Sequence, residues 1–453
     1  MRDLTSGSPL KLILRFSFPL LMGNVLQQLY NIADAAIVGR FLGSGALAAV
    51  GATSSVQFLI FGFCIGSCTG FCIPVAQRFG AKDYSRMRKL VFNSVFLTAV
   101  IGIAVTGLCV LFCRNILHLL STPSDIWNDT YIYILVIFLG IPFTLLYNMT
   151  AGVLRAIGDS FTPFLFLAVS TILNVAADWF CIAVLHWGCF GAAFATVASQ
   201  ALSGILCLIV IIRKYEVLHF QAEEKRIIPV MVKELLLMGI PMGLQFSITA
   251  VGSMVLQSAN NALGSMYTSA LTAAMRIKMF AFCPFDAVAS GVATFCSQNY
   301  GAHETARIRR GYGIGIAVTT IYGVVIGIVL LLFGRNLCMI FLPATERMIL
   351  DTAALNLRLL GPFYCVLGFL TVSRITVQGL GRSGRAMLSG VMEMIARISV
   401  VFLFVPKYGF TAICYADPIA WIAADLYIVP VCLYMIYKMT GGRTFSRRLA
   451  ASH

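Results

Sequence analysis

The sequence predicts an all-α integral membrane protein. It has twelve transmembrane helices in two six-helix lobes, related by a pseudo-two-fold axis along the membrane normal. Three observations lead there. Hydrophobic residues make up 59% of the 453-residue chain and charged residues only 11%, against about 25% charged in a soluble domain; mean hydropathy is +0.89. The apolar residues come in runs of about 20 or more, the length a helix needs to cross a bilayer. One stretch also occurs twice: "VAQRFGAKDYSRMRK" from Val75 returns as "CSQNYGAHETARIRR" from Cys296.

Twelve runs are long enough to span. They cover 12–38, 46–76, 90–112, 131–154, 161–185, 188–212, 231–263, 268–297, 312–333, 352–377, 386–405 and 410–437. Loop charges orient them. The loops after even-numbered helices carry Arg78, Lys82, Arg86, Arg88 and Lys89, then Arg155, then Arg213, Lys214, Lys225 and Arg226, then Arg307, Arg309 and Arg310, then Arg382 and Arg385. Both termini are basic, with Lys11 and Arg15 at one end and Arg443, Arg447 and Arg448 at the other. The opposite loops hold only Arg40, Arg114, Arg335, Arg347 and Lys407. Basic loops stay in the cytoplasm, so both ends are cytoplasmic and the span number is even.

The longest polar interruption falls near the middle and joins an N-terminal lobe, 1–213, through a cytoplasmic linker, 214–234, to a C-terminal lobe, 235–453. Each copy of the repeated stretch follows the second helix of its half. Gln77 matches Gln298, Gly80 matches Gly301, Ala81 matches Ala302, Arg86 matches Arg307 and Arg88 matches Arg309. A second echo, "LRAIGDS" from Leu154 and "VQGLGRS" from Val377, follows the fourth helix of each half. Both copies of each echo sit on the same side of the membrane, so the repeats are parallel. Two equivalent lobes suit alternating access to a central cavity.

Several classes are excluded. The formal charge of +15 sits in short loops, not on a basic helix or stacking platform, so nucleic acid is not a partner. The 14 cysteines are scattered, mostly inside apolar runs (Cys64, Cys68, Cys72, Cys181, Cys207), with no zinc spacing. The first apolar run is too long for a signal peptide and no small-residue cleavage site ends it. No Walker A loop or HExxH motif is present, so the chain is read as neither an ATP-driven pump nor an enzyme.

Ionisable residues inside membrane helices are costly and therefore candidates for function. Asp34 lies late in helix one, with Asn31 a turn earlier on the same face and Gln27 and Asn24 extending the stripe. Asp178 lies in helix five, with Asn174 a turn before it. Both helices run outward, so the two acids reach comparable depth in the outer half of the membrane. Two carboxylates and two amides make an oxygen-rich cage. If Asp34 and Asp178 meet, one holds a proton at neutral pH, because like charges disfavour each other; Na⁺ is the alternative occupant. Pro19 interrupts the hydrogen bonding of helix one and is a candidate hinge or a static kink.

The C-terminal half offers Lys278 and Arg276 in helix eight, Glu393 and Arg397 one turn apart in helix eleven, and Asp417 and Asp425 in helix twelve. Lys278 and Arg276 read first as structural, a charge pair or cavity-lining groups, with a share in substrate or gating charge as the alternative, and the Glu393–Arg397 pair reads as a structural internal pair. Asp425 reads equally as a partner for Arg397 or as an attractor of cations. Candidate positions for a substrate cavity are Tyr30, Gln200, Met254, Asp425 and Lys278.

Several segments resemble the multidrug and toxic compound extrusion (MATE) family. They are "FPLLMGNVLQQLYNIADAAIVGRFLGSGALAAVG", the paired "QRFGAKD" and "QNYGAHE" loops, "LRAIGDSFTP" and "RIKMFAFCPFDAVASGVATFCSQNYGA". The resemblance runs in order over nearly the whole chain and is nearest the DinF-type branch. It implies a secondary active exporter of organic, cationic or amphipathic compounds, driven by H⁺ or Na⁺ entry and needing no other cofactor. It also implies that Asp34, Asn174 and Asp178 form the branch's N-lobe cation site. Another branch carries acids in helices seven and ten. Here helix seven offers only Gln245, Gln257, Asn260 and Asn261, and helix ten has Asn356 and Arg358 near its outer end, which puts a C-lobe site of that kind in doubt. The alternative within transport is a flippase of lipids or lipid-linked oligosaccharides from the same superfamily. The expected setting is a bacterial inner membrane, the partners small molecules and the lipid bilayer, and the acting form a monomer.

Overall fold

The computed structural model describes residues 2–120 and 122–450, with the side chains of Ser44 and of residues 440–450 outside the description. Arg443, Arg447 and Arg448, part of the basic C-terminus, therefore have side chains outside the described ones. The described chain is all-α, with no strand. The membrane helices are α1 (Pro9–Gly43), α2 (Gly45–Gly80), α3 (Tyr84–Leu111), α4 (Trp127–Leu139 and Ile141–Ala156), α5 (Phe161–Val184) and α6 (Gly188–Lys214). They continue with α7 (Pro229–Ala262), α8 (Ser265–Gly301), α9 (Thr305–Cys338), α10 (Arg347–Gly379), α11 (Ser383–Leu403) and α12 (Phe410–Met439). Among the described residues eleven helices pass as membrane spans on length and composition, and the two pieces of α4, bent by 41°, make a twelfth if taken as one span. Helices dominate because a bilayer offers no water to the backbone, so each segment must satisfy its own N–H and C=O groups.

The repeat extends to the breaks between helices. Gly43 ends α1 with φ 87° and ψ −177°, a conformation only glycine adopts without strain. Left-handed backbone recurs in pairs at closely matching spacings: Gly43 and Gly264, Lys82 and His303, Gly158 and Gly381, Gly188 and Gly409. The bend of α4 at Gly140, just before Pro142, has its counterpart in α10, where a 3₁₀ turn at Gly361–Phe363 contains Pro362. The residue pairs seen in two sequence motifs thus belong to a repeat of the whole half-chain fold.

The chain groups into two compact units whose borders fall inside helices. One comprises Met1–Asp3 and Met22–Gly243, the other Leu4–Leu21 and Leu244–His453. The first part of α1 therefore belongs with the later helices, and the first part of α7 with the earlier ones. The borders lie two residues beyond Pro19 and Pro241, the prolines inside α1 and α7.

Small residues let these helix starts pack closely. In unit 1, a Cβ on Gly70 of α2 would come 2.6 Å from Gly239 Cα of α7, and one on Gly243 would come 2.7 Å from Phe63 O. In unit 2, Gly291 of α8, the repeat counterpart of Gly70, lies against Ser17 and Ile13 of α1. Helix association in lipid relies on such close contact, since burying apolar surface away from lipid gains little. Phe71, Met87, Phe138 and Leu154 fill the interior of unit 1 together with Leu235 of α7. Phe285, Phe295, Tyr364 and Trp421 fill that of unit 2 together with Ile13 and Phe16 of α1.

The repeated loops hold the leaders of these two helices. In unit 1, Arg88 forks onto both oxygens of Glu224 at 2.6 and 2.7 Å, and Asn93 bonds the backbone of Arg226 and Ile228 at 3.1 and 3.0 Å. In unit 2, Leu4 N–H donates to Gln298 Oε1 at 2.9 Å, Asn299 donates to Leu4 O at 3.1 Å, and Arg307 donates to Gly7 O at 2.9 Å. Each copy of the motif thus fixes the segment leading into the first helix of the opposite half.

The Arg88 fork holds the Glu224 carboxyl at about 2, below its ordinary 4.5. A depressed carboxyl stabilises the fold fully above its ordinary value and loses that contribution as pH falls towards the depressed one. Glu224→Gln should lower the melting temperature of the purified protein at pH 7 and flatten its pH dependence below about pH 4.5; equal melting curves for both proteins would show that the clamp contributes nothing. Gly70→Ala should cost about 1–3 kcal/mol by overpacking. Gly51→Ala, whose Cβ meets nothing within 4 Å, should be near neutral in the same denaturation assay.

Candidate functional site

Unit 1 holds an unpaired pair of acids. Asp34 projects from α1 and Asp178 from α5, and each is among the charged groups acting on the other. Asn174, one turn before Asp178, is 2% exposed and Asp178 fully enclosed. An ionised group at mid-helix costs roughly 3 kcal/mol to insert, and a buried polar atom left without a partner costs about 1–3 kcal/mol more. Yet among the described residues no protein group hydrogen-bonds to Asp34 Oδ1, either Asp178 oxygen, either side-chain polar atom of Asn174 or Gln200 Oε1. Neither acid joins an ion pair among the described residues.

Tyr30 and Gln200 are candidates from the sequence, but Thr196, Tyr133, Gln57 and Thr53 beside them are not. Tyr30 Oη lies 3.0 Å from Thr196 Oγ1 of α6, and Asp34 and Asp178 both act on the Tyr30 side chain. Gln200 follows Thr196 by one turn. Tyr133 of α4 also lies beside both acids and bonds Gln57 of α2, which donates to Thr53 at 2.8 Å. Thr53 and Gln57 are one turn apart in an apolar helix, and that spacing was the available signal. A π-helical turn, Phe180–Val184, begins two residues after Asp178. Such turns displace the local register and occur often at functional positions; nothing in the sequence marked it.

The site thus brings together Asp34, Asn174, Asp178 and Tyr30, with Gln200 one turn beyond Thr196. Asn31 is exposed and Asp34 half-buried, although they are one turn apart. Pro19 lies in the part of α1 assigned to unit 2, where it supplies no N–H to the carbonyl of Arg15. Met254, Asp425 and Lys278 also belong to unit 2. Met254 is half-buried on α7. Lys278 bridges to Asp417. Asp417 also accepts from Arg397 at 3.0 Å. Arg397 reaches Glu393 at 3.4 Å, the pair expected from their spacing. Arg374 of α10, which no spacing in the sequence links to Glu393, holds it at 2.5 Å.

The two groups of charges differ in kind. Asp417 and Glu393 each have two cationic partners. Asp34 and Asp178 face each other with amide and hydroxyl groups around them. That second arrangement can take a positive charge and release it: a proton shared between carboxylates, or a hard cation held by carboxylate and amide oxygens. No group of three or more His, Cys, Asp or Glu suited to a metal occurs among the described residues, so a cation here would depend on the Asn and Gln oxygens as well.

Comparison with known proteins covers nearly the whole chain. The MatE family model matches twice, over residues 19–180 and 241–403, each match beginning at one of the prolines inside α1 and α7. The YoeA protein of Bacillus subtilis (strain 168), named a probable multidrug resistance protein, is 30% identical over 345 residues, 74% of this chain and 73% of that one. YpnP of the same organism, named likewise, is 27% identical over 417 residues, 91% of this chain and 89% of its own. A crystal structure of MATE in the bent conformation superposes with a TM-score of 0.89 at 22% identity, covering 97% of this chain and 98% of that one.

Removing one of two facing acids should relieve repulsion. Asp34→Asn and Asp178→Asn should each raise the melting temperature of the purified protein. A fall in melting temperature for both would mean that each acid has a stabilising partner.

Proposed function

The chain belongs to the MatE family, and on that premise we propose that it is a secondary active multidrug efflux antiporter, exporting organic cationic or amphipathic compounds in exchange for H⁺ or Na⁺ by alternating access. It is a transporter and not an enzyme. The observation that carries the reading is the set of enclosed, partnerless oxygens on Asp34, Asn174 and Asp178. Groups so costly to bury are explained by an exchangeable positive charge that satisfies them for part of a cycle.

In this mechanism Asp34 and Asp178 take the charge and Asn174 supplies a neutral oxygen. Gln200 stands next in line, and Tyr30, fixed by Thr196, limits the space around the acids. Loading removes the repulsion between the carboxylates and lets α1 and α5 approach. Asp34 sits on α1 four turns beyond Pro19, where one backbone hydrogen bond is missing. A pull on Asp34 is therefore relieved most cheaply by bending α1 at Pro19, and that bend transmits the loaded state along the helix. Asn31, exposed a turn before Asp34, is on the path from the aqueous side. The two lobes expose substrate to alternate sides. The setting is a bacterial plasma membrane with both termini cytoplasmic, where the basic loops are retained, and the acting form is a monomer.

The test is efflux of a fluorescent cationic dye from proteoliposomes under an imposed Na⁺ or H⁺ gradient, wild type beside Asp34→Asn. Wild type should export under one gradient, which names the ion, and the variant should lose at least tenfold in rate. Export by neither gradient would end the antiporter reading. Undiminished export by the variant would remove Asp34 from the coupling site.

A further inference from the structure

Unit 2 contains a charge arrangement that the proposed coupling site does not use. Five side chains on four helices alternate in sign: Lys278 of α8, Asp417 of α12, Arg397 and Glu393 of α11, and Arg374 of α10. Arg397 and Glu393 are buried. Each carboxylate is held by two cations, and Arg374 also donates to Ser389 Oγ at 2.8 Å. The ladder therefore has three positive and two negative members. One unit of positive charge is left over inside a membrane protein, where uncompensated charge is expensive.

The compensating group stands beside the end of the ladder. Asp425 of α12 is half-buried, and Arg374 and Glu393 are the charged groups acting on it. It joins no ion pair among the described residues, and its Oδ1 is enclosed without a hydrogen-bond partner there. Around it, α10 contributes Arg374, α11 contributes Glu393 with Arg397 a turn beyond, and α9 contributes Tyr312, whose hydroxyl lies 3.0 Å from Ser373 Oγ and close to Cys432. Asp425 is only half-buried, and a carboxylate turned to hydrocarbon is costly.

We propose that Asp425 is a second binding position for positive charge, in unit 2, at which a proton and the exported organic cation exclude each other. With Asp425 ionised, three cations and three carboxylates balance, and the open side of Asp425 presents the negative end to an incoming cation. With Asp425 protonated, the cluster carries one net positive charge and repels the same cation. Arg374 adjusts between the two states, because among the described residues Glu393 is its one ion-paired carboxylate and Asp425 stands ready as another. Binding of either positive charge thus disfavours the other, which is the requirement for exchange. The proposal rests on the export reading for its ligand class but not on the Asp34–Asp178 pair.

The test is binding of tetraphenylphosphonium, a permanent cation, to the purified full chain at pH 6 and pH 8, with the neutral triphenylphosphine oxide beside it. Wild type should bind the cation at least tenfold more tightly at pH 8, with no such change for the neutral compound. Asp425→Asn should bind the cation weakly at both pH values. Asp425→Glu, which keeps the charge, should restore affinity and move the midpoint of the pH dependence. Wild-type affinity and pH dependence in Asp425→Asn would overturn the proposal. So would a pH dependence lost in Asp34→Asn instead, an unmoved midpoint in Asp425→Glu, or no binding of the cation by wild type. Persistent pH-dependent binding by a wild type that exports under neither gradient would sink the export reading and leave the Asp425 site standing.

Discussion

The fold depends on close helix approach at a few small residues. Lipid removes most of the gain from burying apolar surface, so what holds membrane helices together is close contact. Gly70 against Gly239, and Gly291 against Ser17, provide that contact at repeat-equivalent positions. Through them the first part of α7 joins unit 1 and the first part of α1 joins unit 2. Two helices therefore pass from one unit to the other, and each has a proline two residues ahead of the crossing point. A Cβ at Gly70 would separate the start of α7 from the surface that holds it, and one at Gly291 would displace the Ser17 hydroxyl.

The repeated basic loops follow from the same arrangement. A helix that begins in one unit and ends in the other needs its start secured. The second copy secures α1 with Gln298, Asn299 and Arg307 on the backbone of Leu4 and Gly7. The first copy secures α7 more electrostatically, through the Arg88–Glu224 fork. Glu224 and the Asp34–Asp178 pair represent opposite treatments of a buried acid. One is fully paired and has a structural task. The others lack cationic partners and are suited to taking up charge and giving it back.

The same contrast runs through unit 2. Its paired acids, Asp417 and Glu393, fix α8, α10, α11 and α12 to one another, and their cations are already committed. Asp425 adds to that network the negative charge it lacks without joining any of its bridges. Each unit thus combines a well-packed scaffold with at least one acid whose hydrogen bonding is incomplete, and the scaffold makes the incomplete group tolerable.

The sequence alone determined the class, the twelve spans and the parallel repeat. Hydrophobic run length is set by bilayer thickness, and loop charge and motif spacing are one-dimensional properties. It also marked Asp34, Asn174 and Asp178, because a polar residue in an apolar run is visible without coordinates, and it found the Glu393–Arg397 pair from helical spacing. The tertiary structure alone decided what lay around them: Thr53, Gln57, Tyr133 and Thr196 beside the acids, Arg374 at the end of the ladder, and the π-helical turn after Asp178. Spacing along one helix says which residues share a face, but not which face of which other helix it meets. It decided too that the borders of the compact units fall within α1 and α7 and not at the polar linker. Close approach of two glycines far apart in the chain is a property of packing, and no local pattern encodes it.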